Sequence, residues 1–276
     1  SLKMLKTNKI LLLLSSLILL YSCSEEKPAP GAKTPPAKKQ DATEVPGKAA
    51  EPAPARAKPA TPAKSALDRD YLMGKFEPSK HPDFVSVKAP YTDRTGMMLR
   101  RETFEAFREM WKAAKKEGVE LNIKSSTRNF QQQKAIWDGK WKKYAKEKPG
   151  AKERALKILE YSAMPGASRH HWGTDVDLND LNNTSMESGG KYKKVYDWLA
   201  AHAHEYGFCQ PYTAGRSAGY KEEKWHWSYT PLSQGYTERF RELITDEDFS
   251  GFSGASSAVE IKVVKNYVLG INEKCR

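Results

Sequence analysis

Cysteine is scarce in this chain, three among 276 residues, and a Cys-rich structural zinc pattern is thereby excluded. Long apolar runs are scarce too. The mostly apolar stretch from Ile10 to Leu20 is too short to span a bilayer, which takes roughly 20 residues. A Walker loop and a dinucleotide fingerprint are both missing, so no nucleotide-binding motif is on offer. Mean hydropathy is −0.73, too polar for a uniform globule until the polar front of the chain is set aside. The formal net charge of +12 suits approach to anionic envelope polymers, although many of the lysines lie in that front segment.

What is present at the N-terminus is ordered like an export signal. Lys3, Lys6 and Lys9 precede the Ile10–Leu20 stretch, and Tyr21, Ser22 and Cys23 follow it, as charged and hydrophobic regions do in a secretory signal. Leu20-Tyr21-Ser22-Cys23 is similar to a lipobox, with Tyr21 bulkier than the small residue usual there. The expectation is a lipoprotein signal peptide over residues 1–22 and an acylated Cys23 anchoring an exported protein to a membrane, on its periplasmic or extracellular face. Ordinary signal cleavage beside an incidental cysteine is the alternative. Nucleic acid is not an expected partner for an exported protein. Cys209 and Cys275 then remain for one disulfide in an oxidising compartment, or stay as two free thiols.

Residues 23–65 are rich in Pro, Ala and Lys, as in KPAPGAKTPPAKK, and hold almost no large apolar residue. Such a stretch cannot bury enough surface to fold and is expected to be a disordered tether. The folded domain is expected over residues 66–276, with all seven tryptophans inside it. Phe104, Phe107, Trp111 and Ala114 recur at helical spacing before Gly118. Val119, Leu121 and Ile123 alternate with polar residues, which predicts a strand delivering Ser125, Ser126 and Arg128 to its end. Further helices are expected near Phe130–Tyr144, Lys152–Tyr161, Lys191–Tyr206, Pro231–Ile244 and Ser257–Leu269. Strands are expected at Thr174–Leu178 and Trp225–Tyr229. Strands scattered among helices predict an α+β fold, a small antiparallel sheet flanked by helices.

Chemistry concentrates in Ser168-Arg169-His170-His171-Trp172-Gly173-Thr174-Asp175-Val176-Asp177, and again in Glu223-Lys224-Trp225-His226. Two imidazoles, a carboxylate and a spare Glu match a catalytic zinc site, which takes three protein ligands and keeps one position for water. His171 competes with His170 as ligand, since neighbours on an extended chain point to opposite sides. Asp175 is open to a hydrogen bond with a ligand histidine or to a merely solvated, strand-capping role. Trp172, Trp225 and Trp227 flank the cluster as core or as substrate contacts. His202 and His204 read as solvent or cap residues.

The first segment resembles the Ser-x-His-x-x-Gly-x-Ala-x-Asp pattern of VanY-type zinc D-Ala-D-Ala carboxypeptidases, in the lysostaphin, D-Ala-D-Ala and hedgehog metallopeptidase group. Ser168, His170, Gly173 and Asp177 match it, and Asp175 stands where the pattern has alanine. Glu223, Trp225 and His226 match the group's Glu-x-Trp-His, and Ser125, Arg128 and Gln133 its upstream motif. The resemblance implies a hedgehog-like fold and one Zn2+ held by His170, Asp177 and His226. It also implies Glu223 as catalytic base and Arg128 as clamp on the substrate's terminal carboxylate. Gln133, Ser126 and Ser168 are expected to help hold the terminal residue. The implied substrate is the D-alanine-terminated stem peptide of peptidoglycan. An LD-carboxypeptidase, a wall endopeptidase and a non-catalytic hedgehog-like zinc module are the alternatives. A retained Glu223 argues against the last.

Overall fold

The computed structural model describes residues 67–276. The signal peptide, Cys23 and the tether lie outside the described residues. Short antiparallel strands β1 (Phe84–Val87) and β2 (Met97–Arg100) lead into α2 (Arg101–Lys116), after a single-turn α1 at Arg69–Leu72. Buried Phe107, Met110 and Ala114 on α2 form the apolar stripe that the spacing predicts. Chain reversal follows at Gly118, whose φ of 68° suits glycine.

A second antiparallel sheet carries the rest of the design. Its strands are β3 (Ile123–Ser125), β4 (Asp175–Leu178), β5 (Phe208–Cys209) and β6 (His226–Tyr229), in the order β3-β4-β6-β5. The first strand is shorter than VELNIKSS suggested, beginning only at Ile123. Val119 and Leu121 are nonetheless buried, so alternation reported burial rather than ladder pairing. Both faces of β4 and β6 are covered. Val176 and Trp227 pair toward one side, while Asp175, Asp177, His226 and Ser228 share the other.

Helix α3 (Phe130–Lys143) starts at a capping box in which Asn129 and Gln132 satisfy each other's backbone N–H groups. After it come α4 (Ala151–Ile158) and α5 (Lys193–His202), the latter continued by a 3-10 turn to Tyr206 and stopped by Gly207 at φ 81°. Helix α6 (Thr230–Leu243) opens with a proline in its first turn. The final predicted helix is broken. Helix α7 (Ser257–Ile261) ends at Lys262, φ 58°, and a π-helical turn over Val264–Val268 follows. Apolar spacing survives this break because Ile261, Val263 and Val268 all reach the core.

Trp137 and Trp172 are fully buried. At about 25 cal/mol/Å² and roughly 200 Å² apiece, each contributes on the order of 5 kcal/mol of burial. Cys209 and Cys275 form a disulfide, Cα–Cα 5.8 Å, tying β5 to the C-terminal turn. No helix of the described residues is long and apolar enough to cross a membrane.

Candidate metal centre and cleft

Antiparallel pairing of β4 with β6 sets Asp177 directly opposite His226, so the two side chains emerge side by side from one sheet face. His170 arrives from the preceding 3-10 turn, Arg169–Trp172. Seven residues along a straight strand would put His170 and Asp177 on opposite faces. Gly173 removes that difficulty: its φ is 75°, and a Cβ there would lie 2.5 Å from the Phe84 ring. The chain turns sharply at the one residue that can both adopt the angle and fit the space. Glu223 sits in the loop before β6, and a tight turn, His226 N–H to Glu223 carbonyl at 3.3 Å, brings its carboxylate back to the imidazole.

Ligand atoms of His170, Asp177 and His226 lie within 4.8 Å of one another, and all three residues are buried. His170 Nδ1 donates to the Ser126 carbonyl at 2.8 Å, which leaves Nε2 facing Asp177 Oδ2 at 3.4 Å. His226 Nε2 donates to Asp175 Oδ2 at 2.8 Å, so Nδ1 faces Asp177 Oδ1 at 3.4 Å. Each imidazole is held from behind by an acceptor, an arrangement that fixes the tautomer offered to a metal. Asp177 Oδ1 is buried and accepts no hydrogen bond among the described residues. A buried carboxylate whose two oxygens each face one imidazole fits a cation, and the His, Asp, His donor set suits zinc.

Charge is tuned throughout this cluster. Burial alone would raise the Asp177 carboxyl, but His170, His226 and Arg128 hold it at about 2. Burial likewise opposes a charged His226, yet Asp175, Glu223 and Asp177 prevail and lift it to about 9. Glu223 is raised above the ordinary carboxylate range by burial, despite its hydrogen bond with His226. A carboxylate raised in this way is a stronger base than an exposed one.

The structure decides between the neighbouring histidines. His171 Nδ1 bonds the Arg128 carbonyl at 2.6 Å, and its Nε2 accepts from Gly166 N–H at 3.0 Å. Both ring nitrogens are occupied, and burial lowers its pKa to about 3, so His171 is a neutral strut rather than a ligand. Asp175 is fully buried and bonds Arg169 Nε at 3.1 Å as well as His226. Arg169 in turn donates to Thr237 and Ser228. Arg169 and Asp175 thus back His226 as a compensated buried pair, and the solvated reading of Asp175 falls.

Around the cluster lies an open cleft of about 580 Å³, lined by Arg128, Gln133, Ser168, Glu223 and the three candidate ligands among others. Arg128 Nε donates to Gln133 Oε1 at 2.9 Å, Nη1 donates to Ser125 Oγ, and Nη1 stands 3.8 Å from Asp177 Oδ2. Gln133 spends its amide on Arg128 and on the Ala163 carbonyl, so it aims the guanidinium. Ser168 caps the 3-10 turn while lining the cleft. Ser126, expected to help hold the terminal residue, points its hydroxyl to Met97 Sδ at 3.1 Å, and its carbonyl accepts from His170. Of the three flanking tryptophans, only Trp225 lines the cleft. His202 pairs with exposed Glu205.

Sequence reasoning missed Tyr212, whose ring meets His226 edge-on at 4.8 Å, and Lys140 on the cleft wall. Tyr212 had no signal, since it lies fourteen residues before its partner. Lys140 had one: Gln133, Ile136 and Lys140 share a helix face. Ile136, Tyr161 and Leu181, three exposed large hydrophobics, ring the same cleft, and apolar rims of this kind mark ligand-binding grooves.

An α+β domain with a buried His, Asp, His candidate metal site in an open cleft is the class these features define. The family model described as VanY, D-alanyl-D-alanine carboxypeptidase, matches residues 96–232. The YodJ protein of Bacillus subtilis (strain 168) is 29% identical over 185 residues, covering 64% of this chain and 63% of that protein. A D-alanyl-D-alanine carboxypeptidase of Enterococcus faecalis (strain ATCC 700802 / V583) is 27% identical over 128 residues, 45% of each chain. An uncharacterised protein of Haemophilus influenzae (strain ATCC 51907 / DSM 11121 / KW20 / Rd) is 30% identical over 102 residues, 32% of this chain and 76% of that one. The chain belongs to the VanY D-alanyl-D-alanine carboxypeptidase family. It spans less than two thirds of the length of the first two relatives.

Proposed function

We propose that this protein is a zinc-dependent carboxypeptidase that removes the terminal D-alanine from peptidoglycan stem peptides outside the cytoplasm. The observation that carries the reading is the convergence in one cleft of Arg128, Glu223 and the His170, Asp177, His226 cluster. Export and a lipid on Cys23 belong to the same reading and rest on residues outside those described.

His170 Nε2, an Asp177 oxygen and His226 Nδ1 would hold the zinc ion. The chemistry zinc supplies when bound is Lewis acidity, which acidifies water and polarises a carbonyl. Glu223 takes a proton from the attacking water and passes it to the leaving amine as the C–N bond breaks. Arg128, aimed by Gln133 and Ser125, receives the terminal carboxylate through its planar fork. A clamp on that carboxylate restricts cleavage to the last residue. The apolar rim of Ile136, Tyr161 and Leu181 covers the upstream peptide and excludes water.

Mass analysis of stem pentapeptides incubated with the protein tests this. Loss of one alanine, abolished by a chelator and restored by zinc, is the expected result. Shortening of tetrapeptides alone would move the assignment to LD-carboxypeptidase, and an intact penta- and tetrapeptide pool after incubation with folded, zinc-loaded protein would withdraw catalysis.

Asp175 gives a separate expectation. Asp175→Asn keeps the side-chain shape but removes the charge behind His226, and zinc binding should weaken about tenfold. Competition with a chelating dye measures it. An unchanged affinity would reduce Asp175 to a packing partner of Arg169.

A further inference from the structure

Helix α3 presents Gln133, Ile136 and Lys140 to the cleft, positions that three- and four-residue spacing stacks along one side of a helix. Gln133 is committed to Arg128. Two turns further on, the half-buried Lys140 donates to the neutral hydroxyl of Ser162. Both guanidinium groups of the cleft wall have acidic neighbours: Arg128 has Asp177 at 3.8 Å, and Arg169 has Asp175 at 3.1 Å. Lys140 has no ion-pair partner of that kind among the described residues. Burial weighs against its charge more than Glu223, which acts on it without forming an ion pair, supports it, and it faces the cleft.

We propose that Lys140 is a specificity-determining residue that receives a second carboxylate of the peptide, carried on a side chain upstream of the scissile bond. The inference rests on the carboxypeptidase reading above. From Gln133 to Lys140 the helix advances about 10 Å, at about 1.5 Å per residue. An extended peptide advances about 3.4 Å per residue. With its terminal carboxylate at Arg128, two residues cover about 7 Å, and a short acidic side chain spans the rest. The substrate class is therefore a peptide with an acid on the third residue from its carboxyl end. A hydrogen-bonded ion pair forms at Lys140, and no bond changes there.

Two peptides ending in D-Ala-D-Ala, one with glutamate and one with glutamine at that third position, provide the test. Their kcat/KM values are measured for the wild-type protein, Lys140→Met and Lys140→Arg, each with its zinc content. Wild type is expected to favour the glutamate peptide about tenfold, the worth of one charge-assisted hydrogen bond. Lys140→Met should erase the preference while leaving the glutamine peptide unaffected, and Lys140→Arg should retain most of it. Equal use of both peptides by wild type would overturn the inference and leave the carboxypeptidase reading standing. A Lys140→Met variant that slows both peptides alike would also overturn it, assigning Lys140 to structure or to the terminal carboxylate. If Lys140→Met fails to fold, the wild-type ratio and the Lys140→Arg ratio still decide. Cleavage of neither peptide by wild type would remove the carboxypeptidase reading and this inference together.

Discussion

The Glu223→Gln protein is expected to turn over a D-Ala-D-Ala peptide about a thousandfold more slowly than wild type, with its fold and zinc content intact. A glutamine amide has the size of the carboxylate but cannot take a proton from water, and positioned acid-base catalysis is worth about 10²–10⁴ in rate. Structural damage should be small. Glu223 is only 5% exposed, burial disfavours its charged form, and an amide of the same size fills the same place beside His226. Steady-state kcat alongside metal analysis separates the outcomes. A loss smaller than about tenfold in a zinc-loaded variant would remove Glu223 from proton transfer, since even modest acid-base catalysis exceeds that.

Arg128→Met should cost about a hundredfold or more in kcat/KM, but only on peptides with a free terminal carboxylate. Two charge-assisted hydrogen bonds from one guanidinium are lost, each worth about 1.5–3 kcal/mol. A peptide whose terminal carboxylate is capped as an amide never had those bonds, so its slow hydrolysis should be the same in wild type and variant. Comparing the two peptides therefore isolates the clamp from general damage. Arg128 also stands 3.8 Å from Asp177, so zinc content must be measured on the same preparation. Equal losses on acid and amide would mean that Arg128 supports the metal cluster rather than reading the chain end.

Helix α2, helix α3 and the two strands β4 and β6 were legible because each is local: apolar spacing and glycine stops encode them within one stretch of chain. The last predicted helix was not, because Lys262 adopts a left-handed conformation while the apolar spacing runs on past it. Strands β1, β2 and β5 escaped the sequence reading. They are two to four residues long, no longer than β4 and β6, but no cluster of imidazoles and carboxylates drew notice to them.

The sequence by itself determined which side chains were candidates. The two clusters that hold His170, Asp177, Glu223 and His226 stood out by residue type, since chemistry of this kind needs particular functional groups, and the family resemblance implied which of their members to choose, with Arg128 beside them. Tertiary structure alone decided what each one faces. The pairing of β4 with β6 and the turn at Gly173 bring His170, Asp177 and His226 to one point. His171 differs from His170 by one position, yet its two nitrogens are consumed by Gly166 and Arg128. Asp175 is tied to His226 across the sheet and to Arg169, Ser126 offers a carbonyl in place of its hydroxyl, and Lys140 meets the cleft only because α3 packs against it. The physical reason is that a ligand's orientation and a charge's compensation depend on partners 44 to 59 residues away in the chain, as in Ser126 with His170 and Arg169 with Ser228. No local pattern records such partners until the sheet has formed.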